Sequence, residues 1–301
     1  IRNCDWSSDV CSSDLTQLGR YVDALERLGQ LDDTLLVVMS DNGASQEGGR
    51  TGVLDEMRYF NGLREDVDTA VERLDTIGTA HSHTNYPWGW AMAGNTPLKR
   101  YKQNTHAGGV RDPFVVHWPA RVKDAGAIRR QFHHVSDIAP TVLEAIGLAQ
   151  PEVLAGVPQA PMTGTSMAYA IGDAAAESRK TVQYFEMHGH RGIYHEGWKA
   201  VTKHDPGTPF DEDRWELYHV AEDRSECHDL AAEMPEKLAE MIDIWWREAE
   251  EHGVLPLDDR GVELFGARFR EHSVHPPDRI YRYRPPMRSE EHTSELQSQF
   301  R

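Results

Sequence analysis

Cysteine is scarce in this chain, with three in 301 residues, at positions 4, 11 and 227. That count excludes a disulfide-dense scaffold and a cysteine-based zinc framework. Long apolar runs are missing as well. No segment approaches the roughly 20 residues needed to cross a bilayer, and no apolar h-region of a signal peptide stands near the start. Basic charge is in deficit: 32 Lys and Arg face 49 Asp and Glu, for a net charge of −17. A partner gripped by its phosphate backbone needs clustered Lys and Arg, so nucleic acid is not expected, and no membrane partner is expected either. An anionic small substrate stays open, because a metal ion and one lysine can reverse the field locally.

The two ends have no hydrophobic periodicity. Ile1–Leu15, "IRNCDWSSDVCSSDL", repeats Ser-Ser-Asp, and Arg288–Arg301, "RSEEHTSELQSQFR", is equally patternless. Both resemble translated sequencing-library adapters, so residues 1–15 and 288–301 are set aside from the fold. Cys227 is then the single genuine cysteine, and the natural part reads as a fragment cut at both ends. Its compartment and oligomeric state stay open.

What is present is an α/β pattern. Thr16–Gln30 carries Leu18, Val22, Leu25 and Leu28 at helical spacing, with Gly29 as a stop. Leu35–Met39, "LLVVM", then reads as a strand buried on both faces, running into Asp41-Asn42-Gly43. Arg64–Gly78 predicts a second helix, Pro113–Trp118 a strand, and "SDIAPTVLEAIG" a helix capped by Asp137 and closed by Gly147. The texture changes to Pro, Gly and Ala near residue 150, where we expect a boundary between 16–150 and a smaller α+β subdomain, 151–287. There, breaks at His188-Gly189 and Glu196-Gly197 predict an antiparallel meander, "RWELYHV" one more strand, and Pro235–His252 the clearest helix. An incomplete parallel or mixed sheet flanked by helices is the expected core of the first part.

Two segments carry the chemistry. Asp41 and Asn42 stand where a strand should end, the place where open α/β sheets bind ligands; taken alone, they read first as a strand followed by an Asn-Gly turn. The second segment is "NTPLKRYKQNTHAGGVRDPFVVHWP". Together with "LLVVMSDNGA", "FEMHGHRGIYHEGWKAVT" and "WELYHVAEDRSECHDLA", it resembles formylglycine-dependent sulfatases, most closely large arylsulfatases with a "YPWGWAMAGNTP" segment. The resemblance runs in order from about Thr16 to Met287 and implies an alkaline-phosphatase-like fold.

The resemblance implies that Asp41 and Asn42 are paired ligands of Ca²⁺ or Mg²⁺, for which hard oxygen donors are suited. Gly43 is expected to permit the sharp turn that lets both converge on one ion. Lys102 matches the lysine set against the sulfate ester, a small molecule; Lys99 and Arg100 are neighbours, and the spacing to Gly108-Gly109 favours Lys102. Many members carry Glu or Gln before the paired glycines, and Ala107 cannot supply that hydrogen bond. The implied nucleophile, a formylglycine made from cysteine in a C-x-P-x-R-type motif, has no match here: Ser-Ser-Asp follows Cys11 and His-Asp-Leu follows Cys227. The polypeptide alone is therefore expected to be inactive. A phosphonate or phosphate ester hydrolase of the same superfamily and a non-catalytic sulfate-binding relative are the alternatives.

The remaining candidates carry less. Tyr86, Trp88 and Trp90 suit an arene-binding wall or a local core equally. His81-x-His83 and His188-x-His190 lack the companions of a zinc site. Ser166 lacks the second glycine of a nucleophile elbow. Asp258-Asp259 reads as a solvated turn, Arg111 as a loop support, and Trp245-Trp246 as packing between helix and sheet.

Overall fold

The computed structural model describes residues 6–56 and 65–260, with side chains from residue 15 onward. Residues 261–287 of the expected second subdomain, both chain ends beyond these limits, and Arg64 lie outside the described residues. The described residues up to Asp259 belong to one compact unit, and everything below concerns it.

Helix α1 spans Trp6–Arg27, ten residues earlier in its start than the periodicity predicts. A helix seeded by the amphipathic stretch propagates backward at little cost once a first turn exists. Gly29, at φ 65°, stops it. Strand β1, Leu36–Met39, is half-buried and not enclosed on both faces. It pairs with β2, Phe114–His117, in an antiparallel register that sets Val37 against Val116. Its other edge carries no paired strand among the described residues, which is why its side chains keep solvent contact.

The region between these strands is folded. Helix α2, Val67–Glu72, is capped by the Asp66 side chain accepting from Thr69 N–H, and a 3₁₀ turn over Leu74–Thr76 leads to Gly78 at φ 77°. The aromatic segment winds into helix α3, Trp88–Gly94, and one short turn, α4, Ala107–Val110, precedes β2. Helix α5, Ile138–Ala145, follows a 3₁₀ turn over Val135–Asp137. Asp137 stands at its N-cap without bonding its amides. The carboxylate is instead fully buried, accepting from His134 N–H, Thr165 N–H and the Lys180 ammonium at 3.0 Å.

Beyond residue 150 come a two-residue hairpin, β3 (Val153–Leu154) with β4 (Val157–Pro158), and the short helix α6, Ala168–Gly172. A four-stranded antiparallel sheet then runs in chain order: β5 Val182–Met187, β6 His190–His195, β7 Trp198–Thr202 and β8 Trp215–Tyr218. Its two tight turns place His188 and Gly189 at φ 53° and 86°, and Glu196 and Gly197 at 47° and 86°. Two successive left-handed residues are the pattern of a type I′ turn, whose twist matches the strands it joins.

Helix α7, Pro235–Glu251, packs across this sheet with proline in its first turn. Met241, Ile244, Trp245 and Ala249 meet Ile193, Leu217 and Trp215 in the main core. Burying each large side chain contributes roughly 1.5–3 kcal/mol. The core also encloses Arg191, 1 % exposed, ion-paired with Asp213 and lying 5.2–5.8 Å from the rings of Trp215, Phe210, Trp245 and Trp246.

Candidate functional site

The site begins where β1 ends. Residues 41–44 turn away from the strand and lie backbone to backbone against the paired glycines of α4. Gly43 N–H donates to Gly109 C=O at 3.3 Å, and Lys102 N–H to Ala44 C=O at 3.0 Å. The closeness explains three glycines at once. A Cβ on Gly43 would stand 1.6 Å from Gly108 O, one on Gly108 2.0 Å from Arg100 O, and one on Gly109 2.0 Å from Asn104 O. Gly43 therefore serves close approach between two segments, and its φ is not left-handed. That corrects the sharp-turn reason expected for it.

Asn95 rivets the junction from α3. Its Oδ1 accepts from Ala44 N–H at 3.0 Å, while its Nδ2 donates to Arg100 O and Gly108 O at 2.9 and 2.8 Å. Left-handed backbone at Arg100 and Gln103, φ 66° and 71°, folds the chain tightly around Lys102. Such conformations cost of order 1 kcal/mol or more and persist only where neighbours hold them.

This packing brings Asn42 and Lys102 to one cavity of about 360 Å³, whose far wall is formed by His134 and by Tyr184, Phe185 and Met187 of β5. Lys102 pairs with the buried Glu47 at 2.7 Å, and Ser45 Oγ donates to the same carboxylate. Asp41 is exposed and lies outside the cavity wall. Its neighbour Asp112 is pushed up to about 6, first by burial and then by the charge of Asp41. His134, beside Lys180, is held below the usual imidazole range by burial and faces the cavity in its neutral form.

The donors can be tested against a cation. The Asp41 carboxylate has no hydrogen-bond or ion-pair partner among the described residues. Asn42 donates its Nδ2 to Gly43 O at 2.9 Å, and its Oδ1 accepts no hydrogen bond among the described residues. A carboxylate and an amide oxygen, with a second carboxylate near by, make a hard anionic donor set that fits Ca²⁺ or Mg²⁺. They supply part of the six or so oxygens such ions take, and no cluster of three or more acidic, His or Cys ligands occurs among the described residues.

Several site residues carried no signal in the sequence. Glu47, His134 and Tyr184 come to Lys102 or its cavity, and Asn95 to Ala44 and Gly108, only through folding, and no local spacing announces them. The expected aromatic wall sits elsewhere. Trp90 is 63 % exposed, Trp88 donates its indole N–H to Gln46 O, and neither lines the cavity. Tyr86 lies close enough to Glu47 and Lys102 to feel both charges, with burial raising its phenol. Asp259 is not simply solvated: it accepts from Gly207 N–H and faces the buried His204. Arg111 reaches Arg224 O, a loop support.

The sequence matches the Sulfatase family over residues 16–148 and the N-sulphoglucosamine sulphohydrolase C-terminal family over residues 99–248. It is 28 % identical over 244 residues to an uncharacterized sulfatase of Schizosaccharomyces pombe, covering 80 % of this chain and 42 % of that protein. It is 31 % identical over 165 residues to an arylsulfatase of Klebsiella aerogenes, covering 54 % of this chain and 33 % of the relative. The chain thus spans less than half the length of these curated relatives. Among solved structures, Ps i-CgsB, crystallised in complex with k-i-k-neocarrahexaose, superposes with a TM-score of 0.50 at 23 % identity, over 84 % of this chain and 44 % of that one. That likeness speaks to the fold alone, an α/β architecture. With two overlapping family matches that together run from residue 16 to residue 248, this chain belongs to the sulfatase family.

Proposed function

We propose that these residues form the second half of the active site of a sulfuric ester hydrolase acting on an aryl or similarly small sulfate ester. One observation carries the reading: Asn42, at the tip of β1, and Lys102, from a separate loop, border the same cavity. In this reading Asp41 and Asn42 hold Ca²⁺ or Mg²⁺, and Lys102 faces the sulfate. The cation, when bound, supplies positive charge that neutralises the ester oxygens.

The chain's own residues do the rest. Lys102 leaves Glu47 for a sulfate oxygen or bridges both. An ammonium about 4 Å from that oxygen contributes on the order of 4 kcal/mol at an effective dielectric of 20, before desolvation. Glu47 keeps the lysine in place when no anion is bound. Neutral His134 and the β5 side chains wall off water from the leaving group. The nucleophile, a formylglycine, belongs to a motif these 301 residues do not contain, so on its own this polypeptide is expected to leave sulfate esters intact.

Three measurements test the reading. With the chain itself, Ca²⁺ or Mg²⁺ should raise the melting temperature, and Asp41→Ala should remove the effect. In a protein that also carries the formylglycine segment, Lys102→Ala should slow hydrolysis of an aryl sulfate roughly 10²–10³-fold. A change below about threefold would reassign the lysine. A preference for the matching aryl phosphate beyond about tenfold would replace sulfate with a phosphoryl substrate.

A further inference from the structure

The loop that presents Lys102 is closed at its base, where Gly108 N–H donates to Lys99 C=O at 2.7 Å. Both stems of that base are gripped by glutamates from the region of the four-stranded sheet. Lys99 Nζ lies 2.7 Å from Glu216 Oε2 and 2.6 Å from the Tyr218 hydroxyl, and His106 Nε2 stands 3.1 Å from the same Glu216 oxygen. On the other stem, Ala107 N–H donates to Glu226 Oε2 at 2.9 Å. The other oxygen of Glu226 meets Lys199 Nζ at 2.7 Å, and the two side chains are 0 % and 7 % exposed. Thr105 Oγ1 adds a bond to Arg191 C=O at 2.9 Å.

Two features set Glu226 apart from an ordinary core ion pair. Its backbone is left-handed, φ 58°, a conformation that a non-glycine residue keeps only where its surroundings demand it. And its carboxylate serves a turn far away in the sequence: its Oε2 accepts the backbone N–H of Ala107, 119 residues earlier. We infer that Glu226 is a positioning residue of the candidate site, its carboxylate, braced by Lys199, fixing the turn at Ala107–Gly109 and through it the loop that presents Lys102. The inference rests on reading Lys102 as the sulfate-facing group, yet the geometry of the loop can be measured without catalysis.

Residue-resolved amide hydrogen exchange on the full chain is the test, using variants that do not strand a buried ammonium. Glu226→Ala with Lys199→Met removes the acceptor. Glu226→Gln with Lys199→Met keeps an accepting oxygen and removes both charges. The alanine variant should speed exchange at Ala107, Gly109 and Lys102 by about tenfold or more, the loss of roughly one hydrogen bond, while Ile193 and Val201 in the sheet keep wild-type protection. The glutamine variant should restore the loop. Unchanged loop amides in the alanine variant, or loop and sheet loosening together, would overturn the inference. Should the alanine variant not fold, the glutamine variant decides: wild-type protection at Ala107 supports the role, and loss of it refutes it. Titration with inorganic sulfate separates the two readings. Weaker sulfate binding in the alanine variant, rescued by glutamine, supports both. A loosened loop in a chain whose wild type binds no sulfate keeps Glu226 as the anchor and removes sulfate from the site.

Discussion

Replacing Gly43 by alanine probes the contact on which the site depends. The new Cβ would fall 1.6 Å from Gly108 O and 2.7 Å from its carbonyl carbon, whereas real Cβ atoms stay beyond 3.0 Å. Both offending atoms are backbone, so no side chain can swing aside. The two segments must part by about 1.4 Å, the difference between 3.0 and 1.6 Å. Separation on that scale breaks both Gly43 N–H to Gly109 O, already 3.3 Å, and Lys102 N–H to Ala44 O at 3.0 Å. Two lost hydrogen bonds at about 1 kcal/mol each, with about 1–3 kcal/mol of overpacking, give a loss of roughly 3–5 kcal/mol. The melting temperature should fall by roughly 6–20 °C for a domain of this size. Urea titration and thermal scans read both quantities. Gly89→Ala is the matched control: its Cβ meets nothing within 4 Å in helix α3, so it should gain about 0.5–1 kcal/mol. A Gly43→Ala protein within about 1 kcal/mol of wild type would refute the close-packed junction.

Other positions give independent checks. His190 is lowered to about 4, chiefly by burial and then by Lys203 and His204, and its Nδ1 accepts from His204 N–H. The folded state therefore binds this proton less readily than the unfolded state. Stability should be full above about pH 6.5 and decline as pH falls toward 4, by about 2–3 kcal/mol after allowance for partial exposure. His190→Asn, which keeps an acceptor and does not titrate, should flatten that decline in urea titrations at pH 7, 5.5 and 4.5; an unaltered slope would exonerate His190. Arg191→Met should destabilise by about 3–5 kcal/mol, because Asp213 is left buried without its guanidinium; a loss under about 1 kcal/mol would mean that His204 alone satisfies Asp213. Lys180→Met should cost a similar amount by stranding the fully buried Asp137, and Lys180→Met with Asp137→Asn should recover most of it.

The parts of the molecule that were legible in the sequence are those set by local rules. His188-Gly189 and Glu196-Gly197 announce two left-handed turns, and the sheet they build follows. Pro235 and Gly253 bracket α7, and the apolar run at Leu35–Met39 marks β1. Asp41, Asn42 and Lys102 could be nominated because short motifs surround them. What could not be read depends on residues meeting across the fold. Nothing near Glu226 or Glu216 points to the loop at residues 99–108, and nothing near Asn95 foretells its three bonds at the junction. Asp137 looked like a cap because the sequence shows an acid before a helix; its partner, Lys180, lies too far along the chain to be seen. Gly43 was assigned to the wrong cause for the same reason, since the atoms that exclude a side chain there belong to Gly108.

The most direct test is a crystal structure of this protein grown with Ca²⁺ and sulfate. The account predicts a cation about 2.3–2.6 Å from a carboxylate oxygen of Asp41 and from Asn42 Oδ1, with a sulfate oxygen within hydrogen-bonding distance of Lys102 Nζ, roughly 2.7–3.2 Å. A cation bound elsewhere, or sulfate absent from the cavity while Lys102 stays on Glu47, would contradict it.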